Sequence, residues 1–159
     1  MSVSAAYIMP GEGREPNYYT PEMSRRARGI ELWAALRSLG REGLAELIDR
    51  TCGHAQRFAA ELRAAGHTVL NDVVINQVLV SFGPPERTVA IVRRLQEDGV
   101  CWCGSTEWQG QTAMRISVSS WATTDRDVDL SLQAIAGAAG QYRAALISTS
   151  PCRSGAAKR

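Results

Sequence analysis

Apolar positions recur at three- and four-residue steps through Leu44, Leu47, Ile48, Thr51, Ala55, Phe58, Ala59 and Leu62. That spacing predicts a helix from about Glu42 to Ala65 with one buried stripe, closed by Gly66. A helical signal begins earlier, near Pro21, where Ile30, Trp33, Ala34 and Arg37 share a spacing and Gly40 stands where a C-cap belongs. From His67 the period changes to two. Thr68–Leu70 predicts a short strand and Gln77–Phe82 a longer one, ended by Gly83-Pro84-Pro85. Glu86–Asp98 returns to helical spacing through Val89, Val92 and Leu95, with Ile91 also apolar, and Gly99 stops it. Cys101-Trp102-Cys103 and Thr112–Ser119 read as two strands, with Gly104–Gly110 as the hairpin region between them. Thr124-Asp125-Arg126-Asp127 resembles a capping box before a last helix that buries Val128, Leu132, Ile135 and Ala139. The order is two helices, then strand-strand-helix-strand-strand-helix. This predicts an α+β fold with a mostly antiparallel sheet.

The ends carry no such periodicity. Met1–Tyr19 is turn chemistry, as in Pro10-Gly11-Glu12-Gly13 and Glu15-Pro16-Asn17. Disorder is the plain reading, and Tyr7, Ile8, Tyr18 and Tyr19 argue for docking on another surface instead. After Ile147 the chain is rich in Ser, Gly and Ala and is expected to fray. The chain thus divides into an irregular segment (1–23), a folded domain (24–147) and a tail (148–159).

Composition narrows the function classes. At 159 residues, 45% hydrophobic and 21% charged, the chain suits one globular domain. The net charge of +2, from 18 basic and 16 acidic residues, gives no general pull toward nucleic acid or an anionic membrane. No apolar stretch is long enough to span a bilayer. Met1–Pro10 lacks a basic start and a cleavage pattern, so a signal peptide is not expected and the cytoplasm is.

Four cysteines are present, Cys52, Cys101, Cys103 and Cys152, without the regular spacing of a disulfide framework. A strand would put the Cys101 and Cys103 sulfurs on one face, but His54 and His67 lie at no ligand spacing from them. Buried, reduced thiols are expected rather than a metal site. The basic residues are almost all arginine. The only lysine is Lys158, in a polar terminal run, where it is poorly placed to act as a desolvated Schiff-base amine.

Four segments, taken together in order and spacing, carry a resemblance: Tyr19–Gly29, Glu31–Gly40, Asn76–Phe82 and Met114–Thr124. They resemble the C-terminal part of the group II pyridoxal-phosphate-dependent decarboxylases, which include the aromatic-amino-acid and glutamate decarboxylases. The likeness runs from about Ser4 to about Ile135. It implies the small domain of a fold-type-I enzyme that works as a dimer with active sites at the subunit interface. It also implies a preceding large domain that supplies the lysine for pyridoxal 5'-phosphate, an aspartate and a stacking histidine, none of which has a counterpart here. Met1–Tyr19 would follow that large domain. No catalytic, cofactor-binding or metal-binding residue is therefore expected in this chain, and activity alone is not expected. A stand-alone binding or assembly module derived from this domain is the alternative.

One residue carries over from the resemblance. Arg115 matches an arginine that in glutamate-type members lies near the substrate carboxylate, a role suited to a planar, permanently charged guanidinium. The competing role is a pairing with a local acid or a helix end that only supports the sheet. The cluster Arg25, Arg26 and Arg28 reads as a solvated helix face in preference to an anion site. Trp33, Trp102, Trp108 and Trp121 read as core or dimer contacts, and Asn76 as a turn or cap residue. Apolar residues between Met1 and Leu39, among them Trp33 and Leu36, predict self-association or contact with a separate large domain.

Overall fold

The computed structural model describes residues 26–149, with side chains described for residues 26–142. The expectations for Met1–Tyr19, Pro21, Arg25, Cys152, Lys158 and most of the tail lie outside the described residues.

Helix α1 covers Gly29–Ala64 and is interrupted at Gly40, whose backbone (φ 65°, ψ −170°) is not helical. A side chain would be strained at that φ, so glycine is what lets the chain turn there. The two helices expected from the sequence are the segments on either side of it. The chain also divides at this point into two compact units, Met1–Arg41 and Glu42–Arg159. In the first, Ile30, Leu32, Trp33, Leu36 and Leu39 are exposed. In the second, the helix buries Thr51, His54, Ala55, Phe58, Ala59 and Leu62. The predicted stripe thus holds from Thr51 onward. Leu44 and Leu47 are only half-buried and Ile48 is exposed.

Four strands form one antiparallel sheet in the order β1-β2-β4-β3: β1 Thr68–Val69, β2 Gln77–Ser81, β3 Gly104–Trp108 and β4 Gln111–Ser117. The central pair β2–β4 runs in register from Gln77↔Ser117 to Val80↔Met114. Asn76 closes its end, with Nδ2 donating to the Val118 carbonyl at 2.9 Å and its own carbonyl accepting from the Val118 N–H at 2.9 Å. This is the capping role read from the sequence.

The third strand differs from expectation. Cys101–Cys103 is a loop, and the strand is Gly104–Trp108, which lies within the predicted hairpin region. It pairs with β4 through a two-residue turn at Gln109 (φ 49°) and Gly110 (φ 75°), flanked by Trp108↔Gln111. Positive φ at both central residues is the turn whose twist matches paired strands.

Two more helices cover one face of the sheet. Helix α2, Pro85–Asp98, starts on a proline and ends at Gly99, whose left-handed backbone lets its N–H reach the Leu95 carbonyl at 3.1 Å. It buries Thr88, Ile91, Val92 and Leu95, while Val89 is exposed. The inward row therefore runs through Ile91 and not Val89. Helix α3, Asp125–Thr149, begins with the expected reciprocal cap. The Asp127 carboxylate accepts from the Thr124 N–H at 2.8 Å and the Thr124 hydroxyl at 2.7 Å, and Thr124 Oγ1 accepts from the Asp127 N–H at 3.4 Å. Val128, Ile135, Ala138 and Ala139 are buried, with Leu132 half-buried.

The core joins Val78, Val80, Met114 and Ile116 of the sheet to Ile91 and Leu95 of α2, Val128 and Ile135 of α3, and Phe58 and Leu62 of α1. Full burial of such a side chain contributes about 1.5–3 kcal/mol. The architecture is the α+β arrangement the hydrophobic pattern predicts.

Candidate functional site

Arg115 sits in the middle of β4, across the ladder from Leu79 on β2 and Gly104 on β3. Its neighbours Met114 and Ile116 point into the core, so strand alternation sends Arg115 to the opposite face, where it is exposed. Gly104 presents no side chain beside it, and a Cβ there would meet nothing within 4 Å. Arg115 makes no ion pair with any described residue, which leaves the expected local acid without a counterpart. The guanidinium is open on the sheet face that the α2 and α3 helices do not cover.

A second cluster lies on the helix-covered side. Cys101, Trp102 and Cys103, from the α2–β3 loop, line a cleft of about 160 Å³ with Ser117, Asp127 and Ser131, among others. Both cysteines line this cleft, and they do so from a loop and not from a strand. Hydrogen bonding from Cys103 lowers the Cys101 thiol to about 7, while Cys101 and burial push the Cys103 thiol up. Ser131 carried no signal in the sequence that would single it out; only the fold brings it to the cysteines.

A third group fastens α1 to the start of α3. The buried His54 places Nδ1 3.6 Å from an Asp125 carboxylate oxygen, Arg57 pairs with both Asp125 and Asp129, and Arg50 donates to the Trp121 carbonyl at 3.0 Å. These contacts are structural. The tryptophans correct the core half of their expectation: Trp33, Trp102, Trp108 and Trp121 are all exposed, Trp102 and Trp121 by more than three quarters, so none is a core residue. Arg26 pairs with Glu31 and Arg28 is exposed, so both are solvated as expected, but they precede α1 and do not form a helix face. Among the described residues, no three His, Cys, Asp or Glu side chains gather as a metal site would need. No helix among them is long and apolar enough to cross a membrane.

No family model matches the chain. It is 29% identical over 136 residues to an aromatic-L-amino-acid decarboxylase of Drosophila lebanonensis, covering 84% of this chain and 34% of that protein. A histidine decarboxylase of Drosophila melanogaster is 33% identical over 109 residues, 67% of this chain and 13% of that protein. Among solved structures, Oryza sativa TDC with PLP superposes with a TM-score of 0.71 at 20% identity, over 80% of this chain and 30% of that one. The chain resembles the group II pyridoxal-phosphate decarboxylases.

This chain spans about a third of the length of the decarboxylase from Drosophila lebanonensis, at 34%. What these decarboxylases share with it is the α+β fold just described. Covalent binding of pyridoxal phosphate needs a lysine amine, and residues 26–149 contain none, since Lys158 is the chain's only lysine. The described residues therefore do not by themselves fit the cofactor. Arg115, by contrast, has the chemistry and the open position for a carboxylate.

Proposed function

We propose that this chain is the C-terminal portion of a pyridoxal-phosphate-dependent amino-acid decarboxylase, a carboxy-lyase. In this reading the cofactor and its lysine belong to a large domain, residues 1–23 lead from that domain, residues 24–147 form the small domain and residues 148–159 are a tail. The observation that carries the proposal is that one stretch of this chain is similar to decarboxylases both in sequence and in fold. The aromatic-amino-acid and histidine decarboxylases named above point to an amino acid with an aromatic or heteroaromatic side chain as substrate. Arg115 would receive the substrate carboxylate through a charge-assisted, bidentate pair. The exposed Ile30, Leu32, Trp33, Leu36 and Leu39 would meet the large domain or a second copy of the chain, and the cytoplasm is the proposed compartment.

The test supplies a lysine-bearing large domain of a decarboxylase by co-expression and measures carbon dioxide release from aromatic amino acids, with sedimentation reporting the assembly. The expected result is release only from the complex. Arg115→Ala should lower kcat/KM about 10- to 100-fold, since a hydrogen bond to a charged group is worth about 1.5–3 kcal/mol, while the fold is retained. Unchanged turnover per folded molecule would remove Arg115 from the substrate site. A chain that stays monomeric and joins no large domain supports the alternative, a stand-alone module resurfaced to live without one.

A further inference from the structure

The cleft on the helix-covered side has no part in the decarboxylase reading, and its wall and its polar groups differ sharply in chemistry. Phe58 of α1, Val118 just after β4, and Val128 and Ile135 of α3 are buried and give it an apolar wall. Trp102, largely exposed, adds an indole face. The loop that carries Trp102 is fixed from within, since the Gln96 side-chain amide donates to the Cys103 carbonyl at 2.7 Å. At about 160 Å³ the cleft is smaller than the roughly 300–1,000 Å³ of a site for a drug-sized ligand, so its occupant is small.

The polar groups fix the sign of that occupant. Among the described residues that line the cleft, Asp127 is the only Asp, Glu, Lys, Arg or His. Its Oδ2 accepts from the Thr124 N–H at 2.8 Å and the Thr124 hydroxyl at 2.7 Å, while Oδ1 accepts from no described residue. The bonds to Oδ2 hold the carboxyl below its usual range, so it is charged at neutral pH. Arg57 does not offset that charge, being engaged by Asp125 and Asp129. Ser131 Oγ donates its single proton to the Asp127 carbonyl at 2.7 Å, which leaves its lone pairs to accept. Ser117 and Thr123 add two more hydroxyls to the lining. A fixed negative charge and oxygen acceptors beside an apolar wall match an organic ammonium, whose N–H groups need oxygens and whose body needs an apolar surface. A hard metal ion takes several oxygen ligands and gains nothing from the wall. A carboxylate would meet like charge, with no cation in the lining to receive it.

We propose that this cleft binds small arylalkyl primary amines, with the ammonium on Asp127 Oδ1 and the Ser131 hydroxyl and the ring against Phe58 and Trp102. The site is separate from Arg115, which lies on the face of the sheet that α2 and α3 do not cover. It also tells an amine from its parent amino acid, because the α-carboxylate that suits Arg115 is repelled beside Asp127. On the decarboxylase reading such an amine is the product, so the domain holds product at a place of its own. The binding itself rests on the cleft and not on that reading.

The probe is phenethylamine, an ammonium at neutral pH, titrated into the isotope-labelled full chain while its amide and indole resonances are followed. Two matched compounds complete the series: 2-phenylethanol keeps the body without the charge, and phenylalanine adds the carboxylate. Phenethylamine should shift the Trp102 indole N–H and the backbone amides of residues 123–131 saturably, with a Kd on the order of 1 mM for so small a ligand. Both matched compounds should bind about tenfold more weakly, as the loss of one charge-assisted hydrogen bond requires. Asp127→Asn keeps an oxygen for Thr124 but removes the charge, and it should weaken phenethylamine about tenfold while leaving 2-phenylethanol unchanged. Trp102→Ala, at an exposed position, should weaken both alike. Equal affinity for phenethylamine and either matched compound would overturn the proposal, and that comparison needs no residue altered. Shifts that never saturate, or that gather away from the cleft, would overturn it too. No readout here involves decarboxylation, so a failure leaves the decarboxylase reading standing, and a failed co-expression leaves the cleft standing.

Discussion

His67 packs its ring at a tilt against Phe82 with centroids 4.6 Å apart, and burial, helped by the Arg87 guanidinium, lowers its pKa below the ordinary 6.5. The unfolded chain therefore binds the proton more readily than the folded one. The contribution is complete above the unfolded value and is lost as pH falls through it toward the lower, folded value. Thermal melts between about pH 7.5 and 5.5, where histidine titrates, should show stability falling on acidification, with a shallower slope in His67→Gln. Equal slopes would place the proton linkage elsewhere. At this scale the sequence was only partly legible. Arg115 could be placed on a strand, but the absence of a partner acid among the described residues depends on which side chains the fold brings near. The C-x-C spacing predicts a strand with both sulfurs on one face, whereas the fold holds Cys101–Cys103 as a loop pinned by the Gln96 amide, with both residues lining one cleft. Ser131 is one of many serines until α3 packs beside that loop.

The start of α3 shows an element whose boundary is written in its own residues. Thr124 and Asp127 satisfy each other's polar groups across the first turn, and the same hydrogen bonds hold the Asp127 carboxylate below its usual range. Thr124→Ala should cost about 1 kcal/mol, as loss of an N-cap typically does. Urea denaturation would show this as a lower midpoint with an unchanged slope, and an unmoved midpoint would mean the cap is dispensable. Local signals of this kind made the helices readable, because Gly40, Gly66 and Gly99 punctuate them. What the local pattern could not give is which apolar row finds a neighbour. Val89 and Ile48 fit a stripe yet face solvent, since periodicity defines a face but not what stands opposite. β3 was misplaced for a different reason: Gly104-Ser105-Thr106-Glu107-Trp108 offers one large apolar residue, and its strand character comes from backbone pairing with β4.

For the molecule as a whole, element order and class followed from the sequence, whereas the sheet order β1-β2-β4-β3 did not, because pairing β2 with β4 is a choice no local pattern records. The four tryptophans illustrate the same limit. Large aromatic residues suggest a core, and among the described residues all four lie on the surface. The sheet order also has a kinetic side. β3 and β4 are joined by the two-residue turn at Gln109 and Gly110, and a hairpin of this sort closes in about 1–10 μs. β2 must instead wait while the whole of α2 and the hairpin are brought round to it, and that loss of chain entropy is not repaid until Val80 meets Met114. The slow event in forming this domain is then the zipping of its centre, not of its edge. Pulsed hydrogen exchange during refolding should protect the amides joining β3 to β4 before those joining β2 to β4. Simultaneous protection would mean that the two pairings nucleate as one. A domain built in this sequence exposes the inner edge of β4 throughout the delay, and that edge is where a second unfolded copy would most readily pair in its place.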